Sequence, residues 1–186
     1  MDRAIFHWIN SWPSSLAEPM RFFSEALNYG WMKLILAIVL IAMIAAGKDT
    51  RKAALTSLIA FPIANGLTDL FKKFLPLPRP CNDPTLTEIV VRIGKSESAG
   101  TASAHSANML AVAICMLIGL RWGGIPWLIL AILVSVSRIY NGVHYPYQVL
   151  LGWICGSFAA VLVQTIWNLA SSKYEQKKAT QNGKSE

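Results

Sequence analysis

The sequence predicts an all-α integral membrane protein: a helical bundle of five to six transmembrane helices preceded by amphipathic N-terminal helices. Of its 186 residues, 54% are hydrophobic and 15% are charged, whereas a soluble domain carries about 25% charged residues. The apolar residues fall in runs that approach the roughly 20 residues of a membrane span. The net charge of +7 comes largely from basic residues at the ends of these runs. That placement is typical of membrane proteins and does not indicate a nucleic-acid partner.

Residues 1–30 form the first predicted region. Large apolar residues recur at helical spacing before Pro13: Ile5, Trp8, Ile9 and Trp12. A second amphipathic helix is predicted at about 15–28. We expect both helices to lie in the membrane interface, and a tilted first span is the alternative. The apolar core of this start is too short for a cleavable signal peptide.

Residues 31–171 form the predicted membrane-embedded bundle. It contains five apolar runs: Trp31–Gly47, Ala53–Phe71, Ser106–Leu120, Ile125 to about Ile139, and Tyr147 to about Ala170. The second run also contains Pro62, Asn65, Gly66 and Asp69. A charged side chain at the bilayer centre costs about 2.5–3.5 kcal/mol. We therefore expect these four residues to face other helices or a cavity.

Residues 172–186 form a predicted polar tail with four lysines: Lys173, Lys177, Lys178 and Lys184. The tail, the basic stub 48–52 and the turn 121–124 are each separated from the polar loops 72–105 and 140–146 by an odd number of crossings. Because basic connections stay inside, we assign the tail, the stub and the turn to the cytoplasm. The two polar loops then share the extracytoplasmic face of the plasma (inner) membrane. The loop 72–105 is itself basic, which indicates an anionic ligand.

The three cysteines, Cys81, Cys115 and Cys155, have no metal-binding spacing. Two of them lie within apolar runs. We therefore expect neither a metal site nor a disulfide framework.

Three short blocks in the polar loops could carry chemistry. The first is Lys72-x6-Arg79-Pro80. A guanidinium offers a planar bidentate fork to a phosphate, and a lysine adds a point charge. Taken alone, Lys72 at the end of a span is more often an anchor that reaches the interface.

The second block, Thr101 to His105, is a loop of small residues that leads into the third run. Ser103 is predicted to cap that helix. The free backbone N–H groups beside it, at Ala104 and onward, can bind an anion, and His105 lies next to them. A single histidine at a helix start is more often structural.

The third block is Ser137-Arg138-x5-His144. Arg138 lies near the outer end of an apolar run, so it needs a partner or a water-filled cavity. Pro146 suits the first position of the fifth helix. Gln148 then falls near the third helical position, where it can reach back to cap the helix start.

The order and spacing of these blocks resemble those of the type 2 phosphatidic-acid phosphatase superfamily of integral membrane lipid phosphatases, over about residues 31–170. The resemblance implies metal-independent dephosphorylation of a lipid phosphate or pyrophosphate, with no cofactor. It implies that His144 is the nucleophile that forms a phosphohistidine and that His105 is the general acid. The implied phosphate-binding groups are Lys72, Arg79, Ser103, the N–H of Ala104, and Arg138. Phosphoryl transfer depends mainly on positioning and charge stabilisation, which cationic side chains can supply.

The chain departs from the family pattern at two places. Ala102-Ser103-Ala104-His105 stands where the pattern has Pro-Ser-Gly-His, which brings a methyl group near the expected phosphate. Gln148 stands where the pattern has an aspartate that holds the nucleophilic histidine and stabilises its charge. Either the enzyme is slow or inactive, or another carboxylate substitutes; the sequence offers Asp69, Asp83 and Glu97.

Two alternatives therefore stay open beside the phosphatase. One is a phosphotransferase that uses the same site to pass the phosphoryl group to an acceptor other than water. The other is a lipid-phosphate-binding membrane protein without catalytic activity, which the loss of charge at Gln148 favours.

Overall fold

The structure is a computed structural model that describes residues 2–86, 88–95 and 97–182. Its α-helices are α1 (Asp2–Asn10), α2 (Ala17–Glu25), α3 (Gly30–Ala46), α4 (Lys48–Phe74), α5 (Ala104–Leu120), α6 (Ile125–Tyr140) and α7 (Pro146–Asn182). No strand occurs within these described ranges, and the all-α prediction is confirmed. Helix α5 packs against α4, α6 and α7, so it forms the centre of the bundle.

The bundle core is built from small side chains. Its fully buried members include Ala60, Ala64, Ala107, Ala111 and Ala159. Large apolar side chains lie on the outside instead, among them Ile38, Ile41, Leu150, Ile154 and Phe158. Small residues let helices approach closely where lipid, rather than water, surrounds the bundle. The arrangement is therefore that of a bundle made for a bilayer.

Two glycines bring α7 directly against α5. Gly152 and Gly156 are four residues apart, the spacing that favours close helix contact in membranes. A Cβ atom at Gly152 would clash with the carbonyl oxygen of Ser103, and one at Gly156 with that of Ala107. The Ser103 N–H also donates to the Gln148 carbonyl over 2.9 Å. These contacts fix the start of α5 against the start of α7.

The chain reverses between α5 and α6. Arg121 ends α5 with a φ of 52°, and the 3-10 turn Arg121–Gly124 leads into α6. A Cβ atom at Gly124 would lie 2.5 Å from the backbone of Leu117, so the turn folds tightly onto the last turn of α5. The reversal places Arg138, near the end of α6, close enough to His105, at the start of α5, for its charge to act on the imidazole.

Three helical stretches are long and apolar enough to cross a membrane: Lys48–Phe74, Ala104–Tyr140 and Pro146–Gln181. A fourth is possible if Ser14–Asn28 and Gly30–Ala46, which meet at 69°, form one bent span. The stretch Ala104–Tyr140 contains both α5 and α6, which lie side by side. The number of crossings, five to six, stays a prediction.

Two details of the helices differ from the expectation. The basic stub 48–52 is the first turn of α4 rather than a separate connection, and Arg51 donates from Nε to the Ile44 carbonyl over 2.8 Å. Helix α7 continues to Asn182, because nothing in the polar tail breaks a helix before that point. Lys184 lies outside the described residues.

Of the four α4 residues expected to face other helices or a cavity, only some do so. Asn65 lines a cavity, as expected, but Pro62 and Gly66 are exposed, so that expectation was wrong for them. Neither carries a polar side chain, so lipid contact costs them little. Asp69 is also exposed, with its carboxylate paired to Lys72 Nζ over 2.9 Å near the end of the helix.

The N-terminal helices pack on the end of α6 and the start of α7. Phe6 of α1 is fully buried, and its ring lies 5.3 Å from that of Tyr145. Helix α2 packs on α6. Their predicted location in the membrane interface stays a prediction, but their place beside the loop 141–145 is a feature of the fold.

Candidate active site

Four helix ends meet at one end of the bundle. Lys72 closes α4, His105 begins α5, Arg138 closes α6, and His144 precedes α7. His105 interacts electrostatically with Arg138, Arg79 and Lys72, and His144 does so with Arg79, Arg138 and His105. The structure thus brings together two imidazoles and three cations that are far apart in the sequence.

His144 lies in the tight connection between α6 and α7 and is buried. Gly142 makes the turn with a φ of 78°, and a Cβ atom there would lie 2.7 Å from the Val90 carbonyl. The His144 N–H donates to the Arg138 carbonyl over 3.3 Å. The backbone therefore ties the histidine to the arginine of the same block.

The His144 ring is held from both sides. Its Nδ1 lies 3.1 Å from Gln148 Oε1, and its Nε2 lies 2.9 Å from Arg79 Nη1. Arginine can only donate, so Nε2 accepts and Nδ1 carries the proton. This tautomer directs the Nε2 lone pair toward the cationic groups of the site.

The Gln148 amide has only one orientation that satisfies its neighbours. Its Nε2 donates to the Pro78 carbonyl over 2.8 Å and to Tyr147 Oη over 3.0 Å. A carbonyl cannot donate, so the amide nitrogen must face Pro78 and Oε1 must face His144. The same Oε1 accepts from the Tyr145 N–H over 3.1 Å. Gln148 therefore caps α7, as predicted, and orients His144 as well.

The pKa of His144 is lowered well below its usual value. Burial is the main cause, and the charges of Arg79 and Arg138 add to it, while the hydrogen bond to Gln148 acts in the opposite direction. The imidazole is therefore neutral at neutral pH, the form in which Nε2 can act as a nucleophile.

Arg79 is buried and held by two loops. Its Nε and Nη2 donate to the carbonyl and hydroxyl of Ser98 over 2.8 and 2.9 Å. Its Nη1 reaches the Val143 carbonyl as well as His144. Burial lowers the pKa of this guanidinium, which nevertheless stays charged as arginines in proteins do.

Gly100 allows this close packing. A Cβ atom there would lie 2.7 Å from Arg79 Cγ and 2.9 Å from Gln148 Nε2. Its N–H donates to the Leu77 carbonyl over 2.8 Å. A side chain at this position would displace Arg79 or Gln148. Sequence reasoning passed over this glycine, although it lies in the small-residue loop beside the second block.

Arg138 is buried and held from the N-terminal side. Its Nη1 contacts the hydroxyl and carbonyl of Ser24 on α2. Its Nε is buried and has no hydrogen-bond partner among the described residues. A free donor on a buried guanidinium suits an anionic ligand.

The start of α5 has the predicted form. Ser103 caps the helix and accepts from the Ser106 N–H. Ala104 and His105 follow at the first helical positions, where backbone N–H groups have no intrahelical acceptor. His105 is exposed toward a cavity that Ala104 also lines.

The carboxylates proposed as substitutes for Gln148 do not reach His144. Asp69 pairs with Lys72 and accepts from Asn65. Asp83 accepts from Tyr145 Oη over 2.7 Å and pairs with Arg3, and Glu97 is exposed. Within the described ranges no ion pair to His144 is formed. Gln148 itself is the residue that accepts the ring N–H.

An apolar cavity of about 520 Å³ leads away from His105 between α2, α3, α4, α5 and α6. Its lining includes four methionines: Met32, Met43, Met109 and Met116. Methionines adapt to irregular apolar shapes. In the described part of the chain, no three His, Cys, Asp or Glu side chains are grouped so that they could hold a metal ion.

The family model described as the PAP2 superfamily matches residues 53–171, more than half of the chain. The chain belongs to the PAP2 superfamily. The predicted membership is thereby confirmed, and the three blocks all lie within the matched residues. The N-terminal helices α1 and α2, with α3, lie outside them.

Two curated proteins illustrate the sequence relatives of this PAP2 chain. The undecaprenyl-diphosphatase of Sulfolobus acidocaldarius is 34% identical over 116 residues, which is 62% of this chain and 55% of the relative. The putative undecaprenyl-diphosphatase YbjG of Escherichia coli K12 is 32% identical over 76 residues, 40% of this chain and 38% of the relative. The chain thus spans about half the length, or less, of the curated relatives it matches.

Two solved structures share the PAP2 fold. LpxE of Aquifex aeolicus superposes with a TM-score of 0.71 at 20% identity, covering 88% of this chain and 94% of that one. A transmembrane PAP2-type phosphatidylglycerolphosphate phosphatase from Bacillus subtilis gives 0.68 at 23% identity, with 90% and 84% covered. At these identities the likeness establishes the fold, a multi-pass helical bundle.

Proposed function

We propose that this PAP2 chain dephosphorylates a membrane lipid phosphate or diphosphate through a phosphohistidine formed on His144. The observation that carries the proposal is the fixed, neutral His144, whose Nε2 faces Arg79 and lies among the charges of Arg138 and His105. The names of the sequence relatives, both undecaprenyl-diphosphatases, support a lipid diphosphate as substrate.

The chemistry takes place in two steps at this site. In the first, the Nε2 lone pair of His144 forms a bond to phosphorus, the bond from phosphorus to the lipid oxygen breaks, and protonated His105 gives that oxygen its proton. In the second, neutral His105 takes a proton from water, whose oxygen attacks phosphorus and breaks the bond to Nε2. Inorganic phosphate leaves, and His105 is protonated again.

The phosphoryl oxygens are bound by the groups that converge here. We assign this role to Lys72, Arg79, Ser103, the N–H of Ala104, and Arg138. The transferred phosphoryl group carries its charge on these oxygens, so donors fixed in place stabilise the transition state. Arg79 Nη1 then donates to a phosphoryl oxygen in place of His144 Nε2.

Gln148 serves as the orienting group for the nucleophile. In the serine-protease triad, a worked example from general enzymology, replacing the orienting aspartate by asparagine costs about 10⁴ in turnover because the histidine takes the wrong tautomer. Here the amide nitrogen is held by Pro78 and Tyr147, so Oε1 keeps the correct tautomer. What is missing is charge, and a hydrogen bond to a charged group contributes about 1.5–3 kcal/mol. We therefore expect a slowed enzyme rather than an inactive one.

The apolar cavity supports a lipid substrate. It begins at Ala104 and His105 and continues between helices that face the bilayer. Helix α3, which forms one wall, has no buried residue. We propose that the lipid chain lies in this cavity and enters sideways from the bilayer, while its phosphate reaches His144.

We place the site at the extracytoplasmic face of the plasma membrane and the tail in the cytoplasm. The basic residues Lys48, Arg51, Lys52 and Arg121 lie at the bundle end opposite to His144, and Lys52 donates to Asn168 of α7 over 2.9 Å. Such basic connections favour the cytoplasmic side. A Lys173→Cys variant should react with an impermeant maleimide only in inside-out vesicles, because the three native cysteines are buried. Reaction in intact cells would contradict this orientation.

The experiment that tests the function is release of phosphate in labelled water. The purified chain is given farnesyl diphosphate, farnesyl phosphate and a diacylglycerol phosphate in detergent micelles, with EDTA present. We expect ¹⁸O from water in the phosphate, inhibition by vanadate, and an acid-labile phosphoryl group on His144 after a rapid quench. A phosphorylated acceptor formed in place of inorganic phosphate would indicate the phosphotransferase instead.

The non-catalytic binder is the second candidate, because Gln148 supplies no charge to His144. A Gln148→Asp variant separates the two. A rise in turnover indicates a slowed phosphatase, whereas tight vanadate binding with no phosphate release by either form indicates a binder.

A further inference from the structure

The N-terminal region makes several polar contacts with the segment 138–147, which carries Arg138 and His144. Tyr140 donates from Oη to the Pro13 carbonyl, Asn141 from Nδ2 to the Met20 carbonyl, and Asn10 from Nδ2 to the Tyr140 carbonyl. The Tyr147 N–H donates to Asp2 Oδ1 over 2.9 Å. The catalytic segment is therefore held by residues outside the family match, which begins at residue 53.

One of these contacts reaches a proposed phosphate ligand directly. Ser24 on α2 is 1% exposed, and its hydroxyl accepts a hydrogen bond from Arg138 Nη1. Its carbonyl accepts a second one from the same nitrogen over 3.4 Å. Ser24 lines the same cavity as His105, so this contact lies at the end of the cavity where the lipid phosphate would be.

We propose that Ser24 is a positioning residue for phosphate binding, acting through Arg138. This inference rests on the proposed function, in which Arg138 binds the phosphoryl oxygens. The Ser24 hydroxyl and carbonyl occupy one nitrogen of the guanidinium. The buried Nε has no partner within the described residues and is available to donate to the anion.

The physical reason is the freedom of an arginine side chain. Its several rotatable bonds must be fixed before its planar fork can meet an anion bidentately. A site misaligned by about 1 Å can lose about 10²-fold in rate. Within the described residues, the Arg138 guanidinium makes no hydrogen bond with His105, His144 or Lys72 and donates to Ser24, so α2 supplies the constraint on this side chain. The position of α2 is in turn fixed by Asn141, which donates from Nδ2 to the Met20 carbonyl on α2.

The test is a double-mutant cycle on Ser24→Ala and Arg138→Ala. The first readout is binding of orthovanadate to the purified full chain, measured by titration, and the second is kcat/KM for farnesyl diphosphate. Ser24→Ala should weaken vanadate binding and lower kcat/KM by about tenfold, as for loss of a hydrogen bond to a charged group. In the Arg138→Ala background the same change should have less than about a twofold effect, because the two residues act as one unit.

Two controls separate positioning from folding. Ser11→Ala removes an exposed hydroxyl of the N-terminal region that donates to the Trp8 carbonyl, and it should leave both readouts unchanged. Ser24→Thr keeps the hydroxyl and should restore most of the binding. If Ser24→Ala reduced binding equally with and without Arg138, or left it unchanged while Arg138→Ala was impaired, the inference would be wrong.

The outcomes also separate this inference from the proposed function. A chain that binds vanadate with the expected Ser24 coupling but releases no phosphate overturns the phosphatase and retains the positioning role. A chain that binds no vanadate overturns both. Release of phosphate without coupling overturns the role of Ser24 alone.

Discussion

The family-matched bundle and the N-terminal helices differ in the kinds of side chain that pack them. The bundle α4–α5–α7 packs through small side chains, with Gly152 and Gly156 setting the distance between α5 and α7. The helices α1 and α2 instead pack through large apolar side chains such as Phe6 and Met20. They also make hydrogen bonds near the site, in which Asn10 donates and Asp2 and Ser24 accept. The bundle supplies the reactive groups, and the N-terminal helices fix the segment that carries two of them.

The comparison shows that the residues of the three blocks and the residues that hold them in place lie in different parts of the chain. The three blocks contain the two imidazoles that we propose to react, together with the cations. The orientation of Arg138 and the end of the turn at Tyr145 depend on residues that lie far outside those blocks. The following substitutions test the contributions of the two regions.

The largest expected effect is loss of the nucleophile in the bundle. His144→Ala should lower kcat for phosphate release by at least about 10³-fold, since removal of a catalytic nucleophile has effects of this size or more. The matched control is His7→Ala, which removes the histidine of α1. That variant should keep kcat within about twofold of the wild type. Comparable losses in both variants would show that the chemistry does not depend on His144.

The second effect concerns the packing of α5 on α7. Gly156→Ala places a methyl group against the Ala107 carbonyl, and overpacking of this kind costs about 1–3 kcal/mol. The melting temperature in detergent should fall by about 5 °C. Gly66→Ala is the control, because nothing lies within 4 Å of a Cβ atom there. Its melting temperature should be unchanged or slightly higher, since alanine favours a helix.

The third effect is loss of the cap that α1 places on α7. Asp2→Ala removes the acceptor for the Tyr147 N–H, and loss of such a cap costs about 1 kcal/mol. The melting temperature should fall by about 3 °C. Asp2→Asn keeps an acceptor oxygen and should lose less than half as much. Equal losses would mean that charge, rather than the hydrogen bond, carries the contact.

The smallest effect at neutral pH comes from Asp83. Hydrogen bonds from Thr85, then from Tyr145, lower the pKa of this carboxyl from 3.8 to about 2. Ionised Asp83 therefore stabilises the fold above pH 4, and this contribution is lost as the pH falls from about 4 to about 2. Asp83→Asn should lower the melting temperature at pH 7 by about 2 °C at most. Below pH 4 the two proteins should converge; a constant difference down to pH 2 would contradict the assignment.

Sequence reasoning found what is local and missed what is tertiary. Ser103 as a cap, Pro146 as a helix start and Gln148 at the third helical position follow from rules that involve a few neighbouring residues, and the structure has all three. The spacing of the blocks brought His105 and His144 to one end of the bundle because an even number of helices connects them.

The contacts of Ser24, Asp2 and Asp83 could not be predicted in this way. Each of these contacts joins residues more than 60 positions apart. No periodic pattern in the sequence indicates that such residues meet. The glycines 152 and 156 could have been found, since their spacing is visible within an apolar run. Gly100 carried a weaker signal, a glycine in a loop of small residues before a predicted helix cap.

The contacts of the Gln148 amide constrain which substitutions at position 148 can arise during evolution. Its nitrogen donates to the carbonyl of Pro78, and a carbonyl has no proton to donate in exchange. A mutation that introduces an acid at position 148 therefore gains charge for His144 and at the same time sets two oxygens against each other. The effect of an acid at position 148 therefore depends on the path of the loop at 76–79, and we expect the two to evolve together.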